Sequence, residues 1–135
     1  MCRKISQNYS AHTDFSEDAE ARKRIEDAAM KAVIAAEEAK GLLIDDVSAQ
    51  KCGWDITARS KPGVKPEVVR HIEVKGRAKD ATTITVSRNE IMYALNQADK
   101  FVLAIVMVDG DRSDGPYYVQ RPFTQEPDWA VSSMN

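Results

Sequence analysis

The sequence predicts an α/β domain in which helices flank a mixed β-sheet, with elements in the order α-β-β-β-β-α-β-β. Three observations lead there. Residues 16–41, SEDAEARKRIEDAAMKAVIAAEEAKG, carry an apolar stripe at helical spacing. Four short segments between residues 42 and 87 favour strands and are separated by turn-forming residues. FVLAIVMVDG, residues 101–110, is nearly continuously apolar, as a strand buried on both faces would be. One chain that passes from helix to strands, back to helix and on to strands builds a sheet covered by helices.

The first helix takes Ser16 as its N-cap, acidic residues in its first turn and Gly41 as its stop. Its stripe runs through Ala29, Met30, Val33 and Ile34, and one step back along it lands on Glu26, at the edge of the buried face. LLIDDVSA forms the first strand, QKCG a turn and WDITARS the second strand. KPGVKP turns by its Pro and Gly content. EVVRHIEVKGR follows as a third strand, antiparallel to the second. ATTITVS is read as a fourth strand and RNEIMYALNQADK as a second helix, opened by a capping box from Ser87 to Glu90. GPYYVQRPF is an edge strand. Residues 1–15 read as an arm or fragment boundary, 16–123 as the domain and 124–135 as an irregular tail, whose ending WAVSSMN suggests a piece of a longer protein.

The 135 residues suffice for one hydrophobic core. A hydrophobic share of 43% with 30% charged residues is that of an ordinary soluble domain. No apolar run approaches the roughly 18 residues of a membrane span, and MCRKISQNYS has no apolar stretch of a secretory signal. A cytoplasmic protein with no membrane partner is expected. Cys2 and Cys52 lie far apart outside any CxxC pair, so neither a disulfide framework nor a structural zinc site is expected. The net charge of −2 hides an asymmetry: residues 59–88 carry eight basic and three acidic side chains (+5), residues 14–46 five basic and ten acidic (−5). A positive face on an acidic protein is compatible with that division.

The chemistry rests on GWDI and HIEVKGR. Strand alternation puts His71, Glu73 and Lys75 on one side and Ile72 and Val74 on the other. If the second and third strands are neighbours, Asp55, Glu73 and Lys75 converge. Two carboxylates side by side repel unless they share a hard cation such as Mg²⁺ or Mn²⁺. A lysine two residues beyond the Glu can position or deprotonate an attacking water, Glu26 can add a metal ligand, and Gly76 leaves room for a substrate backbone. Each residue has a plainer role beside this one. Asp55 can bond local amides at a strand end, Glu73 and Lys75 can form the wet face of a strand, and Glu26 can pair with Lys23 or Arg22. His71 is read as a hydrogen-bonding bystander, Glu90 as a capping residue and Trp54 as core. GxGxxG, Walker, GxSxG and HExxH motifs are absent.

GWDITARS…RHIEVKGRA…ITVSRNEIMYALNQADKFVLAIVMVDG resembles the NO VEIN-type C-terminal domain of unknown function, within the PD-(D/E)XK nuclease-like superfamily. The resemblance spans roughly residues 20–123. It implies a restriction-endonuclease-like core of helix, three-strand meander, helix and further strand. The metal-binding Asp then falls on Asp55, the metal-binding Glu on Glu73, the catalytic lysine on Lys75 and the first-helix acid on Glu26. Trp54 stands where the superfamily's proline usually precedes the Asp. The implied function is Mg²⁺-dependent phosphodiester cleavage of DNA, inside a larger helicase-like restriction or phage-defence protein and with a homodimer as one arrangement. Arg77, Lys79 and Arg88 would meet the phosphate backbone. The alternatives are a non-catalytic module of the same fold, binding nucleic acid or docking a helicase, and a plain structural domain.

Overall fold

Alternation along HIEVKGR gives the third strand two unlike faces, and the two faces receive different helices. The computed structural model describes residues 12–126. Within it α1 spans His12–Ala39, β1 Leu43–Asp46, β2 Ile56–Arg59, β3 Val69–Ala78, α2 Arg88–Asn96, β4 Phe101–Asp109 and β5 Arg112–Gln120, with one 3-10 turn at Ser48–Gln50. The strands form one sheet in the order β1-β2-β3-β4-β5. The first three make an antiparallel meander, β4 lies parallel to β3 after the α2 crossover, and β5 closes the edge antiparallel to β4. The mixed sheet with flanking helices expected from the sequence is what forms.

One face of the sheet is covered by α1. Ala29 and Val33 pack there with Ile56, Ala58, Ile72, Val102, Ala104, Val106 and Val108, all buried. The even positions of β3 belong to this face, and Gly76 brings α1 unusually close. A Cβ at residue 76 would lie 2.7 Å from Ala29 Cβ and 2.9 Å from the Ile25 carbonyl. The room left by Gly76 therefore admits a helix. It does not face the Lys75 side, where a substrate backbone was expected. The other face carries α2 over Ala94, Phe101 and Leu103, with Ile84, Tyr93, Ile105 and Phe123 around them. Odd positions of β3 and β4 point this way, which makes β4 buried on both sides, as its composition predicts.

Two local expectations change. α1 begins at His12, so Ser16 is a helical residue and not the N-cap. Residues 1–11 of the expected arm, Cys2 included, and residues 127–135 of the expected tail lie outside the described residues. ATTITVS forms no strand. Both sides of β3 are already paired, with β2 and β4, and this segment must carry the chain over the sheet toward α2. Its alternation reflects Ile84 dipping into the α2-side cluster, without a ladder partner. Gly41 ends the helix as expected, at φ +85° just after the last helical turn.

A buried charge with no local sequence signal fastens α1 to the sheet. Glu37 is fully buried on the α1 face. Its carboxylate accepts hydrogen bonds from Arg70 Nε (2.7 Å), Tyr118 Oη (2.6 Å) and Lys40 Nζ (2.5 Å). Burial works against its ionisation, but Lys40, Tyr118 and Arg70 together hold its pKa below the ordinary value. The same contacts push the Tyr118 hydroxyl upward, burial first and Glu37 second. A buried carboxylate is tolerated only with such full pairing. It joins α1, β3 and β5 at one point.

Candidate active site

Asp55 stands one residue before β2 but still follows its ladder: its amide donates to the Ile72 carbonyl at 2.9 Å. Since Ile56 pairs with Ile72, antiparallel register sets Asp55 beside Glu73. Asp55 Oδ2 accepts from the Val74 amide at 2.9 Å, so the local-amide role and the position beside Glu73 coexist. Glu73 is buried, with 5% exposure. Two residues on, on the same face, Lys75 Nζ lies 3.2 Å from Glu73 Oε2 and 2.9 Å from Glu90 Oε1. Asp55, Glu73 and Lys75 are thus brought together, as expected.

Glu26 is not among them. It is exposed on α1, and α1 lies on the opposite face of the sheet from Lys75. The helix turns Ile25, Ala29 and Val33 inward, so the step back along the buried stripe lands on Ile25, where the sequence reading had landed on its neighbour Glu26. The acid that joins the cluster is Glu90. It does cap α2: Ser87 Oγ accepts from the Glu90 amide at 3.1 Å, and Glu90 Oε1 accepts from the Ser87 amide at 2.9 Å. The same oxygen receives Lys75. A capping box explained Glu90 fully from sequence, and that sufficiency hid its second role.

Three carboxyl groups and one ammonium share this half-buried space, and their protonation follows. Burial pushes Glu73 up to about 9, helped by the negative charge of Asp55 and by a hydrogen bond to Glu90. Glu73 therefore holds a proton at neutral pH. Burial also raises Asp55, against the pull of the Val74 amide and Lys75. Glu90 is held below its ordinary value, because hydrogen bonds from Glu73, Lys75 and the Ser87 amide outweigh its burial. Lys75 is raised, since Glu73 and Glu90 outweigh its desolvation. It stays an ammonium at neutral pH and can donate to a water or a phosphate oxygen, which favours positioning over proton abstraction.

Beside the cluster, Trp54 is half-buried and stacks on His71 (ring centroids 4.3 Å apart, planes 9° apart) and on Tyr93 (4.4 Å, 25°). Its Nε1 donates to Thr57 Oγ1 at 2.8 Å. Trp54 thus lies in neither apolar cluster but pins the loop that delivers Asp55 against α2. His71 Nδ1 is hydrogen-bonded to the Tyr93 hydroxyl. Burial, with Lys100 and Arg59 nearby, keeps the imidazole below its ordinary range and neutral. Its expected hydrogen-bonding role is what the structure gives it.

The basic residues expected at the phosphate backbone separate. Arg77 lies on the Lys75 face of β3. Lys79 pairs with Asp109 at 3.5 Å, both well exposed. Arg88 is exposed at the start of α2. Among the described residues no group of three or more His, Cys, Asp or Glu side chains is arranged to hold a metal ion; the cluster offers Asp55 and Glu73, with Glu90 engaged by Lys75. No described helix is long and apolar enough to cross a membrane.

A family model described as Protein NO VEIN, C-terminal, matches residues 25–119. The chain belongs to this family. The match takes in β1 to β4 and nearly all of β5, together with α2 and most of α1, so the family pattern covers the sheet and every residue of the Asp55–Glu73–Lys75–Glu90 cluster. No curated protein and no solved structure matches the chain.

Proposed function

We propose that this NO VEIN C-terminal domain is a Mg²⁺-dependent phosphodiesterase acting on DNA, built on a restriction-endonuclease-like core of the PD-(D/E)XK kind and serving within a larger helicase-like restriction or phage-defence protein of the cytoplasm. The observation that carries the reading is the carboxyl pair. Asp55 and Glu73 lie side by side across β2 and β3, and Glu73 is pushed up to about 9 with Lys75 only 3.2 Å away. Burial first and the Asp55 charge second favour the protonated form of Glu73, and a divalent cation between the two carboxylates would take the place of that proton. Mg²⁺ commonly uses only one or two protein carboxylates, its other ligands being waters and substrate phosphates, so Asp55 and Glu73 suffice.

Asp55 and Glu73 would hold the ion, whose contribution would be to stabilise charge developing on a phosphate oxygen. Lys75, fixed by Glu90 and charged, would orient the attacking water and donate to the phosphate. Glu90 would keep the lysine aimed, and the Trp54–His71–Tyr93 stack would keep Asp55 in register. Arg77, Lys79 and Arg88 would lie along the strand being cut, and a homodimer would supply two such sites to a duplex.

Incubation of the protein with linear, circular and single-stranded DNA in Mg²⁺ or Mn²⁺ tests this. Cleavage that is absent in Asp55→Ala, Glu73→Ala and Lys75→Ala, all still folded, is the expected result. No cleavage by the wild type under any metal condition sinks the enzymatic reading. A second reading has its own support: Lys75 is held by the Glu90 carboxylate at 2.9 Å and lies 3.2 Å from the Glu73 carboxyl, which would also suit a non-catalytic module of the same fold that binds nucleic acid or docks a helicase. Such a module would bind its partner equally well without metal.

A further inference from the structure

Among the described residues, one buried side-chain nitrogen or oxygen has no hydrogen-bond partner: Arg77 Nε. Buried donors are satisfied almost without exception, and a group of a charged side chain left unsatisfied is the costliest kind. Among the described residues the guanidinium makes no ion pair either, although carboxylates crowd the same face of β3, where Lys75 lies against Glu73 and Glu90. Arg77 follows Lys75 by two residues, about 6.6 Å along the strand on the same side. Its register partner on β4 is Met107, which faces the same way and lines an open cavity of about 420 Å³ with Lys79, Asp109, Arg112, Ser113 and Asp114. The two other cations beside this row are differently placed: Lys79 is neutralised by Asp109, and Arg112 lies across the cavity on β5.

We infer that Arg77 is an anion-binding residue that grips a backbone phosphate next to the one at Lys75, with the cavity beyond β3 receiving the continuing strand. Guanidinium is suited to this task because it offers a planar fork of donors matching phosphate oxygens. The inference rests on the phosphodiesterase reading for the direction of the strand, but the anion site stands on Arg77 itself. It separates Arg77 from Lys79, which is paired with Asp109 where both are well exposed and so contributes only a screened charge.

The arginine Nε–Hε region of ¹⁵N–¹H spectra of the whole chain tests it directly, with the Arg77 signal assigned by its loss in Arg77→Lys. Titration with inorganic phosphate should shift that signal saturably, and a short DNA duplex should shift it at far lower concentration. Arg77→Met should lower the slope of log K against log salt for duplex binding by about one, whereas Lys79→Ala should change it less. It should also melt at the same or a higher temperature than the wild type, because the substitution removes an unsatisfied donor. An unmoved Arg77 signal, an unchanged salt slope or a clearly lower melting temperature overturns the assignment. Phosphate binding at Arg77 with no cleavage by any metal defeats the phosphodiesterase reading alone. Cleavage with no response at Arg77 defeats this inference alone.

Discussion

Lys75 Nζ lies 2.9 Å from Glu90 Oε1, a contact that ties the central strand β3 to the first turn of α2. The lysine's position therefore depends on a helix N-terminus 15 residues away in sequence. The chemistry assigned to Lys75 and the folding of α2 are coupled through a single carboxylate.

That coupling can be taken apart. Gln is accepted at the third position of a capping box, so Glu90→Gln should keep the box and change stability by less than about 1 kcal/mol, while Glu90→Ala should lose roughly 1 kcal/mol more. Both remove the anion that holds Lys75. Either should lower metal-dependent cleavage by about 10–100-fold, the usual effect of losing a residue that orients a catalytic group. Chemical denaturation beside a cleavage assay separates the two losses.

Glu73 should make the metal-free protein lose stability with rising pH. Its pKa is raised to about 9 in the folded state from an ordinary 4.5. The folded chain therefore binds the proton more tightly, and its contribution is full below pH 4.5 and falls as pH rises to about 9. Glu73→Gln, which keeps a neutral hydrogen-bonding group, should match the wild type near pH 4. At pH 7 it should exceed it by on the order of 3 kcal/mol. Urea midpoints across that range, in chelator, measure this.

The Glu37 network titrates with the opposite sign. Its pKa is lowered in the folded protein, so its stabilisation is complete above the unfolded value and is lost as pH falls through the folded one. Glu37→Ala leaves Arg70 (18% exposed) without its partner and should cost about 3–5 kcal/mol at pH 7. The penalty should shrink in acid. Circular dichroism melts at pH 7 and pH 3 check both statements.

Gly76→Ala should destabilise by about 1–3 kcal/mol through overpacking, because its new Cβ meets Ala29 and the Ile25 carbonyl. Cleavage per folded molecule should be unchanged, since residue 76 faces away from Lys75. A fall in turnover without a fall in stability would place substrate, after all, against Gly76.

Much of this was legible because strands announce their faces. Alternation in HIEVKGR assigned Glu73 and Lys75 to one side, and the apolar run of β4 assigned it to the middle of the sheet. What could not be read was which side each helix would take. Glu26 looked inward because a stripe one residue wide of the true one passes through it, and the rotation of α1 is set by long-range contacts, the close approach at Gly76 and the Glu37 bonds to Arg70 and Tyr118. ATTITVS carried a strand's composition, but the strand it follows, β3, is already paired on both sides. Glu37 and Glu90 were missed for a common reason: each bonds to residues distant in sequence, Arg70 and Tyr118 for one and Lys75 for the other, and no local pattern encodes such partners.

The carboxyl pair Asp55–Glu73 as a divalent-metal site is most directly tested by calorimetric titration of the protein with Mg²⁺ and Mn²⁺ at pH 7 in two buffers of different ionisation enthalpy. Because Glu73 carries a proton there, binding one ion should release close to one proton, seen as a heat that changes with the buffer. The signal should vanish in Asp55→Ala and Glu73→Ala. No binding heat, or binding that survives both substitutions, contradicts the account.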